Sequence, residues 1–261
     1  MRFLEKLFHG RFRLFKSIDV GDGQVIVAIH GIGADGHTWD PLASIIDQTK
    51  FRLLCFDLLG FGESPKPNNI QYTVNDHAEA LVKSLGWRFR RKQIVLVGHS
   101  MGCLVASHIA AKYPKMVKHM ILYEPPLFAD SPEFRSHARR KKLYFALYEE
   151  LIQRPKLLLN YSKLMARLAE GRAVLIEPEE WVPFERSLRN TIMKQTAYNE
   201  LKLTIIPTDI IYGKFDLIVT RKEVKEMLHA NPNVTFHMVG EMHDVNNRAA
   251  KYIIRLLKPL Y

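Results

Sequence analysis

The stretch Gln93-Ile94-Val95-Leu96-Val97-Gly98-His99-Ser100-Met101-Gly102 constrains this chain more than any other. Its first half reads as a buried strand, and Leu104, Val105, His108 and Ile109 then recur at helical spacing. A strand running straight into a helix puts Ser100 on a tight turn. Such a turn needs an uncommon backbone conformation, and the residues two positions either side must lack bulk. Gly98 and Gly102 meet that need. The helix starting after Ser100 also directs unsatisfied backbone N–H groups towards developing negative charge. The five-residue pattern G-x-S-x-G is modest by itself; the strand before it and the helix after it make it specific.

Other buried-strand candidates are Gln24–Ile29, Phe51–Phe56, Val117–Tyr123, Thr208–Tyr212 and Val234–Val239. Helical patterns separate them, one of them (Ala78, Leu81, Val82, Leu85) opened by a Thr73-x-x-Asp76 cap signal. Another helix is expected from Arg221 to Ala230 and a last one around Val245–Leu257. Arg11 to Ile18 alternates and meets the turn cluster Asp19–Gly23, so a hairpin is expected to lead into Gln24–Ile29. Strand–helix alternation of this kind predicts an α/β fold, a parallel sheet covered by helices on both faces. From about Leu127 to Leu203 the rhythm changes. No strand is evident there, and Pro155, Pro178 and Pro183 punctuate what read as short amphipathic helices. The chain therefore divides into a core, residues 1–126 and 204–261, and a helical insertion, residues 127–203. Its 261 residues suit one domain with such an insertion.

Three further places carry chemistry. At His30-Gly31-Ile32-Gly33 a strand ends in a glycine-rich loop able to present a backbone N–H to an oxyanion. The donors this suggests are the N–H groups of Ile32 and Met101, with His30 a structural, hydrogen-bonded histidine. Asp216 and His243 each follow a strand, at the carboxyl edge where open α/β sheets place their catalysts. Glu124, just after Val117–Tyr123, is a second carboxylate on that edge. A serine hydroxyl needs a base to take its proton, and the base needs a carboxylate to hold its tautomer. Both carboxylates lie between Ser100 and His243, but Pro125-Pro126-Leu127 after Glu124 reads as a stiff exit into the insertion that a carboxylate would anchor, so Asp216 is favoured over Glu124.

These residues, with Asp57-Leu58-Leu59-Gly60-Phe61-Gly62-Glu63-Ser64, resemble the α/β-hydrolase fold serine hydrolases of the esterase, lipase and C–C hydrolase-like group that carry a helical cap. The resemblance covers about residues 20–126 and 204–258. It implies an eight-stranded, mostly parallel sheet with an antiparallel second strand, and a triad of nucleophile Ser100, acid Asp216 and general base His243. Haloalkane dehalogenases and most epoxide hydrolases place Asp where this chain has Ser100. The fuller glycine-proline oxyanion loop usual in proline iminopeptidases is absent. Cleavage of a carboxylic ester or thioester through an acyl-enzyme is the activity so implied. The alternatives are a carbon–carbon bond hydrolase acting on a vinylogous diketone, and a non-catalytic receptor that keeps the pocket. The Asp57–Ser64 segment is expected to be a structural turn. Cys103, where a further glycine is common, is expected to pack, or to make the site sensitive to oxidants.

No H-E-x-x-H and no clustered Cys/His spacing suggests a metal, and no cofactor is expected. The two cysteines, Cys55 and Cys103, suit free thiols in a reducing compartment, so a cytoplasmic location is expected. No apolar run is long enough for a transmembrane segment. The formal charge is +11, with basic runs at Arg88, Arg90, Arg91, Lys92 and at Arg139, Arg140, Lys141, Lys142. Such runs are a solvated surface or a means of attracting an acidic carrier or a lipid surface. No nucleic-acid-binding module accompanies them. The insertion carries more large apolar residues than one helix face needs, among them Phe134, Phe145, Leu147, Tyr148, Leu151, Ile152, Leu157, Leu158, Leu159, Tyr161, Leu164, Met165 and Leu168. Most are expected to form its own core, with a surplus lining an acyl or aromatic pocket.

Overall fold

The structure is a computed structural model that describes residues 12–90, 92–128, 135–157, 159–160, 176–214 and 231–260. The described strands are β1 (Lys16–Gly21), β2 (Gln24–Ile29), β3 (Phe51–Phe56), β4 (Ile94–His99), β5 (Val117–Tyr123), β6 (Thr208–Gly213) and β7 (Val234–Val239). They form one sheet in the order β1-β3-β2-β4-β5-β6-β7, parallel throughout except for β1, which runs antiparallel to β3. The described sheet therefore has seven strands where eight were expected, and its antiparallel member is the first of them.

The expected hairpin does not form as a pair. The turn after β1 is present, but β3 takes the place between β1 and β2. Asp22 N–H donates to Gln48 C=O (2.8 Å) and Gln24 N–H to Lys50 C=O (2.9 Å), tying the turn to the entry of β3. Burial explains the preference. Val25 to Ile29 are all buried, so β2 has to be paired along both edges, as an interior strand of a parallel sheet is.

Helices α1 (Val74–Arg90) and α2 (Met101–Lys112) cover one face of the sheet, and α6 (Asn247–Leu257) covers the other. The cap signal before α1 is realised reciprocally. Thr73 N–H donates to Asp76 Oδ2 (2.8 Å) and Asp76 N–H to Thr73 Oγ1 (3.2 Å). Ala78, Leu81, Val82 and Leu85 are buried by that helix, as their spacing predicts. On the other face Asp209 of β6 accepts from His119 of β5 (2.7 Å) and His237 of β7 (2.6 Å), joining three strands through one carboxylate. Asp57 holds the turn after β3, accepting from Gly36 N–H (2.9 Å) and Glu63 N–H (2.8 Å). The turn is structural, as expected. Both cysteines are free and buried. Among the described residues no helix is long and apolar enough to cross a membrane.

Between β5 and β6 the described regular elements are all helical: α3 (Arg135–Gln153), α4 (Trp181–Ser187), a π-helical turn (Leu188–Met193) and α5 (Ala197–Leu203). At 19 residues, α3 is longer than the short helices expected. Phe134, Leu158, Tyr161, Leu164, Met165, Leu168 and the helix expected over 221–230 lie outside the described residues, as does Arg91.

The later part of this stretch is fastened to the loops beyond the strand ends. Gly62 N–H donates to Glu180 Oε1 (3.0 Å), Thr191 Oγ1 to Tyr72 C=O (2.9 Å), and Arg186 Nη1 to Asn68 and Ile70 C=O (2.7 and 2.6 Å). His77 of α1 and Ser187 of α4 meet in the interior, with Nε2 3.0 Å from Oγ.

Burial, and secondarily the neighbouring His30, pushes the His77 imidazole down to about 3. The folded protein thus refuses a proton that the unfolded chain takes up near pH 6.5. This contribution to stability is complete above that pH and declines as the pH falls towards the folded value, by roughly 1.4 kcal/mol per pH unit. In urea titrations between pH 6.5 and 4, His77→Gln, which keeps a polar partner for Ser187 but does not titrate, should lose about one proton's worth of that slope. An unchanged slope would contradict the assignment.

Candidate active site

Ser100 joins β4 to α2 with φ 51° and ψ −120°, outside the conformations that residues with side chains normally adopt. Its main chain is held from both directions. The N–H donates to Tyr123 C=O of β5 (3.0 Å), and its C=O accepts from Cys103 N–H in the first turn of α2 (3.0 Å). Close approach explains the flanking glycines. A Cβ on Gly98 would lie 2.7 Å from Cys103 Cα, and one on Gly102 would lie 2.2 Å from Ile29 C=O at the end of β2. The N–H of Ser100 is thus committed to the sheet, and Met101, the first residue of α2, supplies the next one.

The glycine loop after β2 lies beside this turn. A Cβ on Gly31 would come within 3.2 Å of Ser100 Cβ, closer than side chains ordinarily pack, so the chain passes directly beside the serine. Ile32, the expected donor on this loop, follows directly and is half-buried. His30 is fully buried, and its Nδ1 lies 2.7 Å from Gly31 C=O, while its Nε2 accepts from Leu58 N–H (2.7 Å). Those two contacts define one neutral tautomer, and burial lowers the imidazole below its ordinary range. His30 is structural, as the sequence suggested.

His243 is half-buried in the loop after β7. Its carbonyl accepts from His99 Nε2 (2.8 Å), and the two imidazoles are 5.1 Å apart between centroids. Asn246 closes the loop: Oδ1 accepts from Arg248 and Ala249 N–H (2.9 and 3.0 Å) to cap α6, and Nδ2 donates to Glu241 Oε2 (2.9 Å). Asp216 lies outside the described residues. The chain is described as far as Lys214, whose N–H donates to Val239 C=O (2.8 Å) beside the start of the His243 loop.

Glu124, the other carboxylate, is fully buried with φ 53°. Its Oε1 accepts from Gly213 N–H, and its own N–H donates to Ile211 C=O (2.9 Å). It therefore ties the end of β5 to the end of β6. Cys103 is buried with its thiol directed at Tyr123 C=O (3.3 Å), and burial, with Glu124 nearby, pushes the thiol well above its ordinary range. The thiol is packed in the interior.

Ser100, the Gly31–Ile32 loop and the His243 loop thus converge on the carboxyl edge of the sheet. Sequence reasoning overlooked His99 and Tyr123, which hold the His243 loop. The available signal was His99 itself, a polar ring at the end of a buried strand.

The alpha/beta hydrolase fold family matches residues 24–244 of this chain. A thermophilic esterase from Thermogutta terrifontis superposes with a TM-score of 0.69 at 25% identity, covering 93% of this chain and 92% of that one. An esterase from Exiguobacterium antarcticum reaches a TM-score of 0.72 at 18% identity over 95% and 99% of the two chains, a likeness of fold. Among curated relatives, the probable lysophospholipase BODYGUARD 4 of Arabidopsis thaliana is 38% identical over 122 residues, 46% of this chain and 29% of that protein. The matched stretch thus spans under a third of that relative's length.

Gly102→Ala tests the turn. Its methyl would collide with the β2 backbone, so stability should fall by about 1–3 kcal/mol or more. A calorimetric Tm equal to wild type would contradict this packing.

Proposed function

As the chain belongs to the alpha/beta hydrolase fold family, we propose that it cleaves a carboxylic ester or thioester through an acyl-enzyme formed on Ser100. The observation carrying this reading is the strained backbone of Ser100, set between the glycine loop and the loop of His243. His243 takes the Ser100 proton as Oγ attacks the carbonyl carbon. The N–H groups of Ile32 and Met101 receive the oxyanion. The tetrahedral adduct collapses, with the His243 proton passing to the leaving alcohol or thiol. Water, deprotonated by the same imidazole, then releases the acid. Asp216 fixes the tautomer of His243 and stabilises the imidazolium. The commitment of Glu124 Oε1 to Gly213 N–H supports an anchoring role for that residue, leaving Asp216 as the acid.

Residues 127–203 act in this reading as a cap that selects the acyl group. Phe128 packs against Tyr144 and Phe145 (centroids 6.3 and 5.5 Å apart), and Ile152 is buried with them. On the outer side of α3, Leu143 and Leu147 are 68% and 51% exposed, next to Lys142. Exposed leucines beside Lys142 suit a small ester presented at an anionic lipid surface, and the name of the Arabidopsis relative accords with it.

Kinetics of folded variants test the assignment. Ser100→Ala should remove nearly all turnover, by analogy with losses of about a millionfold on removing such a nucleophile. Asp216→Asn should lower kcat by up to about 10⁴-fold, and Glu124→Gln far less. The reverse ranking of the two carboxylates would move the acid role to Glu124. For the lipid reading, kcat/KM on anionic lipid dispersions should fall as salt shortens the range of charge attraction to about 8–10 Å. Small neutral esters should barely respond. Equal salt responses would leave the basic runs as a solvated surface.

A further inference from the structure

His99 precedes Ser100 and ends β4, and its ring occupies the space between the two loops on which the proposed chemistry depends. On one side, a Cβ on Gly31 would lie 3.3 Å from its Nδ1, so the imidazole lies against the bare backbone of the glycine loop. On another side, Nε2 donates to His243 C=O (2.8 Å), and the planes of the two rings are inclined by 55°. A nitrogen facing a carbonyl oxygen has to carry the hydrogen, so Nε2 is a protonated position of the ring.

Tyr123, the register partner of His99 on β5, makes the matching contacts. Its hydroxyl donates to Met242 C=O (2.9 Å) and lies 3.3 Å from Asp244 C=O, while its own C=O accepts from Ser100 N–H. Three consecutive carbonyls, those of residues 242 to 244, are thus held by two neighbouring side chains. Both side chains stand on the strands that present the serine. The loop itself has no helix or strand to fix it, and only its far end is capped, by Asn246.

Building on the triad assigned above, we propose that His99 and Tyr123 are positioning residues for the general base. They fix the main chain of the His243 loop relative to Ser100, and His99 keeps that loop in register with the oxyanion loop through its contact with Gly31. Neither touches the reacting atoms. Their work is to limit the imidazole to the orientations from which it reaches Ser100 Oγ. Proton transfer depends steeply on that alignment, whereas the acyl group is held by other parts of the chain. Removing the anchors should therefore lower kcat and leave KM nearly unchanged.

The test compares His99→Leu, which keeps bulk but has no donor, with His99→Gln, whose amide N–H reaches the position of Nε2. Tyr123→Phe removes only the hydroxyl. Ser100→Ala is measured beside them on a p-nitrophenyl ester, and folding is checked by thermal melting. His99→Leu and Tyr123→Phe should each lower kcat about 10- to 100-fold with KM within about twofold, and His99→Gln should recover most of the loss. Wild-type kcat in both His99→Leu and Tyr123→Phe, or a rise in KM at constant kcat, would overturn the proposal while Ser100→Ala stays inactive. Should His99→Leu fail to fold, Tyr123→Phe against His99→Gln decides the matter with the same readouts. An active Ser100→Ala would overturn the triad assignment itself, and this inference with it.

Discussion

The backbone of Ser100 is forced into a region of conformational space that costs of order 1–3 kcal/mol. That strain persists because its surroundings leave it no alternative. The amide above is bonded to β5, the carbonyl below is bonded to the first turn of α2, and the backbone of β2 lies against Gly102. A parallel sheet is what makes such a lock possible, since β2, β4 and β5 all end at one edge and their loops leave together. The glycine loop, the serine and the His243 loop are neighbours because the strands they follow lie in one sheet.

Much of this was legible in the residues. Buried parallel strands read as unbroken apolar runs, and the bounds of β2, β3, β5 and β7 agree with those expected. The turn at Ser100 was visible because only glycine can flank it. The reciprocal Thr73–Asp76 cap was visible because its chemistry is local. What depended on distant pairing was not. The alternation before Gln24 suggested a hairpin, yet β3, some thirty residues later, inserts between the two strands because β2 must be paired on both sides. A local turn signal carries no information about that demand.

Legibility within the site followed the same line. His30 read as structural, and its two hydrogen bonds bear that out. Glu124 read as a possible acid from its place on the edge. Spacing reveals neither its complete burial nor its bond to Gly213 N–H, the two features behind the anchoring role proposed for it. His99 and Tyr123 escaped notice because their partners are main-chain carbonyls more than a hundred residues away, which leave no mark in composition or periodicity. The described elements between β5 and β6 are helical, as the rhythm of that stretch suggested, but their division of labour was not legible. Glu180, Arg186, Ser187 and Thr191 fasten its later part to the core, while α3 turns an apolar strip outward.

The central claim is that the strained serine is a nucleophile. Reaction of the folded protein with a fluorophosphonate, followed by intact-mass spectrometry and peptide mapping, tests it whatever the natural substrate is. The account predicts a single phosphonyl adduct per chain, located on Ser100 and lost when the protein is denatured beforehand. A folded protein that gains no adduct, or gains one on a different residue, would contradict it.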